Sequence, residues 1–498
     1  MRRLLTLLFV LSAGASAPLS YGCTGMTFGE NEPGRDTYLE DGSIAVDPVT
    51  ETIYVLRRTD VRHEEPDGTT WSETFKHLYQ VRPAGGGARL LADVSDLVDL
   101  RMLFPRDQVL LMGERAGQDL LRVLDPSTGA VLRELQTDAR YHGTRLSPSG
   151  RFIAVADNTA ETSPIHIIDT TTYDIVEIPH DGMWLEAMWA NDRDVLVAMV
   201  DYARSSALEA PDPAMARMRF LAWDVERLAA AGFPTTDGVF ASPIVDVNVE
   251  GVTLDGAFSS SWVGIDPGDR SAVFPVRAYR PGDPASVGVS FDDEDWQADL
   301  LVMDLATGAL RRVENAFGPV GFTPDGSTIV SYRYVDVLDE DGMETAIDAQ
   351  VLTVDLMTLA TEALELPLDG LPSFFVTREG SWVVVAAVSG NEQLVLYDLD
   401  AGTMTRVAGE GVDLNEFVSR PGHAELWLVD GAALHRLDLM SALLERITLS
   451  TSVDRINVLR SRDQLVLGTD RGSKITFYDP ATRTELRQVE IPAAITMD

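Results

Sequence analysis

Leu146–Ile178, LSPSGRFIAVADNTAETSPIHIIDTTTYDIVEI, decides the fold. Ser147-Pro148-Ser149-Gly150 reads as a tight turn, because Pro148 pre-sets φ and Gly150 tolerates a positive φ. Phe152–Ala156 is an almost unbroken apolar run, as expected of a strand covered on both faces. Ile165–Ile168 is the next strand, Asp169 opens a second turn, and Tyr173–Ile178 is the last strand. Such a meander cannot bury both faces alone, so it must stack against copies of itself.

The copies are present. The first turn recurs as Asp47–Thr50, Phe104–Asp107, Ser147–Gly150, Trp189–Asp192, Asp266–Asp269, Thr323–Gly326, Thr377–Gly380, Arg420–His423 and Arg460–Asp463. An apolar strand such as TIYVL, DVLVAM or WVVVAA follows each one. The turn between the third and fourth strands recurs with Asp at its head, at Asp125, Asp169, Asp224, Asp304, Asp355, Asp398, Asp438 and Asp479, with Gln80 in the first unit. Asp in that place accepts hydrogen bonds from backbone N–H groups two residues on, which makes these residues turn builders. Their spacing, mostly about 40–55 residues, is that of propeller blades. The interval from Asp224 to Asp304 is longer and holds extra loops. The expected fold is all-β: a single β-propeller of eight or nine four-stranded antiparallel blades, spanning 43–498. Helical periodicity is confined to Val225–Ala231, which reads as one short surface helix.

Residues 1–22 read as a secretory signal peptide, with Arg2 and Arg3 ahead of the apolar run Leu4–Leu11, and 23–42 as an N-terminal linker. Cys23 is the only cysteine, which rules out an internal disulfide. LSYGC, with Gly22 before the cysteine and Leu19 further back, resembles the processing site of bacterial lipoproteins. That resemblance implies lipidation of Cys23 and membrane attachment through the anchor alone. Cleavage near Ala15–Ala17, leaving a free thiol, is the alternative.

The net charge is −38, and Lys76 and Lys474 are the only lysines. A surface this acidic repels phosphate backbones, which argues against nucleic acid as a partner. No nucleophile elbow, H-E-x-x-H or C-x-x-C motif occurs. The seven histidines are scattered; His142 and His180 flank one blade and are placed to face the same end of the ring. Calcium is the one cofactor candidate: in Asp336–Asp348, Asp339, Asp341, Gly342 and Asp348 fall at positions three, five, six and twelve of the EF-hand pattern, but Val337 stands at the first and the last has Asp instead of the longer Glu. An exposed acidic hairpin is the competing reading. Two long insertions, Ala203–Arg217 and Tyr279–Gln297, are candidates for binding, the second carrying FDDEDW at Phe291–Trp296. Trp184 and Trp189 are expected in the core.

The S/T-P-S/D-G turn, the apolar strand after it and the apolar-x-Asp third strand resemble bacterial WD40-like and YVTN-type β-propellers; TolB-type propellers share the first turn. The D-x-x-T-G pieces at Asp125–Gly129 and Asp304–Gly308 are similar to quinoprotein-type propellers, whose Trp four residues after the Gly is absent here. The resemblance implies a propeller at the bacterial cell envelope. The function expected is non-catalytic binding of an envelope protein or peptide; an enzyme with an axial site, lactonase- or lyase-like, is the alternative.

Overall fold

The computed structural model describes residues 37–38 and 42–493, apart from 66–68, 107, 138–144, 157–163, 179–183, 203–215, 234–242, 255–262, 281–295, 339–343, 365–371, 388–393, 408–415, 431–432 and 470–471. The strands form nine antiparallel sheets, with strand neighbours in the sheet following chain order. Blades one to nine span 44–93, 98–137, 145–178, 184–250, 252–314, 317–363, 372–406, 416–447 and 455–490. The choice between eight and nine resolves to nine. In the founding unit the last strand is Ile175–Ile178; Tyr173 sits in the turn at a positive φ of 62°.

Stacking supplies the core. Phe152, Ile167 and Leu196 of blades three and four share one buried cluster, and Val384, Leu396 and Phe417 of blades seven and eight share another. Trp189 belongs to the first: it stacks on Phe152 and donates to the Arg145 carbonyl at 3.0 Å. Trp184–Trp189 is the inner strand of blade four. Val225–Ala230 is a helix capped by Asp224, which accepts from Arg227 N at 2.9 Å.

The ring shuts by side-to-side packing. All four strands of blade nine come from the C-terminal end of the described chain and all four of blade one from its beginning. Ile44, Val55 and Tyr79 pack with Leu459, Val466 and Phe477 across the seam. Glu51 accepts from both the backbone N–H and the hydroxyl of Ser461 at 2.6 Å, and Arg487 donates to the Arg82 carbonyl at 2.9 Å.

Two departures from regularity point into the axis. Thr37–Tyr38 adds a fifth strand to the inner edge of blade two. In blade five the innermost position is divided between Val252–Leu254 and Gly264–Ile265, which pair with the same neighbouring strand.

Candidate functional site

A four-stranded meander puts its first and third turns at one end and its second turn and exit link at the other. The ring therefore has two chemically different faces, here named the turn face and the loop face.

On the turn face the eight repeated aspartates accept backbone hydrogen bonds inside their own turns. Asp125 takes Ser127 N at 2.7 Å, Asp169 takes Thr171 N at 2.8 Å, and Asp304 takes Thr307 N at 2.7 Å. Asp355 takes Thr358 N at 2.7 Å, Asp398 takes Asp400 N at 3.0 Å, Asp438 takes Ser441 N at 3.0 Å and Asp479 takes Ala481 N at 2.8 Å. Asp224 does the same as a helix cap. Hydrogen bonding to the charged form holds Asp304 and Asp479 below the usual carboxylate range. Gln80, in the first unit, instead reaches across to the Pro126 carbonyl of blade two at 3.0 Å.

The first turns of several neighbouring blades are tied to one another. Asp194 takes Ser149 Oγ at 2.5 Å, and Asp269 takes Asn191 N at 2.6 Å and Asp192 N at 2.9 Å. Arg270 donates to the Asp325 carbonyl at 3.2 Å, and Glu379 takes Gly422 N at 3.0 Å. The densest tie joins blades eight and nine. Arg420 grips Asp463 at 2.7 and 2.5 Å and Glu425 at 2.9 Å, while Glu425 also takes Trp427 Nε1 at 3.0 Å and Arg436 Nε at 2.5 Å. Burial pushes Glu425 up, but Arg420, Trp427 and Arg436 together hold it below its ordinary value.

The loop face carries most of the length variation. Blade one projects a hairpin of two twelve-residue strands, Ile53–Glu64 and Thr70–Val81, and blade six a similar one, Thr328–Leu338 and Glu344–Asp355. Both long insertions also open here. Their stems are one construction. Gly251, at the crossover between blades four and five, donates to the Ala216 carbonyl at 2.8 Å and accepts from Tyr279 N at 2.8 Å. Arg217 lies over the Tyr202 ring, 4.0 Å from its centre. Polar groups are buried beneath: Asp201 takes the Thr253 hydroxyl at 2.5 Å, joining the two blades. Asp299, fully buried, contacts Arg280, has Arg312 at 3.6 Å and takes Asn315 N at 3.1 Å. Arg280 also reaches Gln297. Burial raises the Asp299 carboxyl above its ordinary value despite Arg280.

The sequence reading located the two insertions but not these stem residues. The available signal was Asp299 inside the apolar run ADLLVMD, a charge that needs a partner when buried. Asp348 lies in the blade-six strand opposite Val335, whereas Asp339 and Asp341 lie outside the described residues. Cys23, His142, His180 and Phe291–Asp295 also lie outside them. Among the histidines that are described, His63 stacks on Trp71 at 4.1 Å and His77 is buried in blade one. Burial lowers the pKa of His435. Among the described residues no cluster of His, Cys, Asp and Glu is arranged to hold a metal, and no helix is long and apolar enough to cross a membrane.

No family model matches this sequence, and none of the curated proteins matches it. Solved structures do resemble it in fold. One is described as a eukaryotic initiation factor, at 12% identity over 77% of this chain and 86% of that one, with a TM-score of 0.47. Another is the dihydro-heme d1 dehydrogenase NirN in complex with DHE, at 14% identity over 78% and 74%, TM-score 0.42. A third is oligogalacturonate lyase in complex with manganese, at 13% identity over 80% and 95%, TM-score 0.34. The chain is a β-propeller, and its structural neighbours include enzymes and non-enzymes alike.

Proposed function

We propose that this chain is an exported scaffold propeller of the bacterial cell envelope, tethered through Cys23, whose loop face binds a protein or peptide. One observation supports this reading above the rest: the described ends of the two long insertions meet in the Ala216–Gly251–Tyr279 ladder. Adjacent loops on a rigid support are a common way for repeat folds to present a binding surface. The strongly acidic sequence favours a partner with basic segments over any polyanion.

The test is affinity capture from envelope extract with the intact chain, read by quantitative mass spectrometry. A specific partner is lost when 203–215 or 281–295 is replaced by a short Gly-Ser link and is retained by the turn variant Asp304→Ala. Enrichment that ignores both replacements overturns the reading. The tether is tested separately by the mass of the mature N-terminus, which carries a diacylglyceryl group on Cys23; an unmodified chain beginning upstream of Cys23 refutes it.

A further inference from the structure

The fifth strand of blade two gives the ring a direction. Thr37 pairs with Met102 and Tyr38 with Arg101, antiparallel to the inner strand Val98–Leu103. That inner strand runs from the loop face towards the turn face, since the turn Phe104–Asp107 follows it. Thr37–Tyr38 therefore runs the other way, from the turn side towards the loop side. The chain then reaches Gly42, whose N–H meets the Leu56 carbonyl at the loop end of blade one.

We propose that the inner edge of blade two is the docking site for this chain's own N-terminal segment, which enters the axial channel from the turn face, so that a protein held by Cys23 presents its loop face away from the lipid. The membrane half rests on the tether reading above; the channel half stands without it. The occupant follows from the page: the exposed edge of an innermost strand is a template for an extended segment, and Thr37–Tyr38 already uses it. Lengths support the direction. Cys23 to Thr37 reaches at most about 50 Å fully extended. Strands of about six residues make the ring roughly 20 Å thick, and four strands at about 4.8 Å add some 15–20 Å radially outside the channel. To lay the loop face on a bilayer, the tether would have to cross the blade radius and then the thickness, and still clear hairpins that project roughly another 20 Å. That outside path, about 55–60 Å, is longer than the tether.

Two arms test this. In the first, Cys23→Ser removes the native thiol, and Tyr38→Cys/Arg101→Cys is oxidised. The docked segment gives a disulfide between these two positions, seen by peptide mass spectrometry, whereas Tyr38→Cys/Val320→Cys, aimed at the inner strand of blade six, gives none. Thr37→Cys/Met102→Cys is a second register pair should the first not fold. Folded variants without the disulfide, or with the cross-channel bond instead, overturn the docking. In the second arm, Cys23 is coupled chemically to a maleimide lipid in neutral phosphatidylcholine vesicles, so no native acylation is needed. A donor dye is attached by an azide-bearing residue at Val49 (turn face) or Trp71 (blade-one hairpin, loop face). Given the roughly 40 Å between these levels, quenching by an acceptor lipid is at least about threefold stronger at Val49. Equal or reversed quenching refutes the orientation, while the first arm still judges the docking.

Discussion

The paired aspartates of the turn face and Asp299 at the loop-face stem are held in opposite ways. On the turn face, carboxylates are met by several donors each and are stabilised in the charged form: Asp463 by Arg420, Asp479 by its own turn. On the loop face Asp299 is fully buried, and desolvation outweighs Arg280, so the charged form is disfavoured. The difference teaches where the ring is tied and where it carries strain. The turn face holds neighbouring blades in place through short ties, and the loop face holds a costly charge at the base of insertions that the ring itself does not need.

The sharpest way to break the turn face is steric. Gly129, in the turn after Asp125, has a φ of +78°, and a Cβ there would lie 1.9 Å from the Leu91 carbonyl oxygen of blade one. Backbone cannot yield as a side chain can, so Gly129→Ala forces the first two blades apart. The expected loss is about 3 kcal/mol or more, read as a fall in calorimetric Tm. Gly402 provides the contrast: its φ is +61°, but nothing lies within 4 Å of the added Cβ. Gly402→Ala should cost only the left-handed backbone penalty, about 1–2 kcal/mol. Equal losses in the two variants would show that blade spacing tolerates more than the contact at Leu91 implies.

Next in size is the tie between blades eight and nine. Arg420→Ala strands Glu425, which is almost fully buried, with two of its three donors. The expected loss is about 2–4 kcal/mol, less than for a wholly abandoned buried charge, because Arg436 and Trp427 remain. Denaturant midpoints measure it, and Asp463→Asn, which removes charge only at the exposed end, should cost clearly less.

The opposite shifts predict opposite pH responses. Asp463 and Glu425 have folded pKa values below their unfolded ones, so their stabilisation is present above about pH 4 and is lost as pH falls through the folded values. Asp299 has a raised folded pKa, so its contribution is intact below about pH 4 and is lost as pH rises through the folded value. Asp299→Asn should therefore gain on the parent protein as pH rises towards neutrality and lose that advantage in acid. Melting curves between pH 3 and 8, matched for ionic strength, decide it. A constant difference would mean that Arg280 already neutralises the site.

What could be read from the sequence follows the same division. The turn face repeats, so Asp125–Gly129 and Asp304–Gly308 announced themselves, and counting such turns gave nine units that the structure closes into nine blades. The insertions and the helix after Asp224 showed as breaks in the repeat, but the smaller breaks and the pairings were hidden. Thr37–Tyr38 is too short to show a period, and its pairing depends on a partner more than sixty residues away. The divided inner strand of blade five was unreadable because nothing in the sequence says that Val252–Leu254 and Gly264–Ile265 share one neighbour. Tyr173, read as the first residue of the last strand, instead takes the turn's left-handed position, and its ring is covered by Arg133 at 4.9 Å. The stem pair Arg280–Asp299 joins the two ends of an insertion, a relation that composition does not encode.

The smallest effect expected belongs to the most conspicuous projection. In blade one the inner strand pairs only as far as Val55, and the outer strand Arg89–Asp93 only as far as His77. Beyond those points, Arg58–Glu64 and Thr70–Lys76 pair only with each other in the ladder. Asp60 takes the Thr74 hydroxyl at 2.6 Å and Arg58 at 3.1 Å, but these contacts are exposed. A two-stranded ribbon in water is marginal by itself, so it borrows stability from the ring and returns little. Replacing 61–73 by an Asn-Gly turn, which keeps Asp60 opposite Thr74, should therefore change the stability of the ring by no more than about 0.5 kcal/mol. The same variant, being properly folded, can be used in the capture experiment to ask whether this arm contributes to partner binding alongside the two insertions. A large fall in Tm would mean that the ribbon supports the ring and would erase the division between a tied face and a free one.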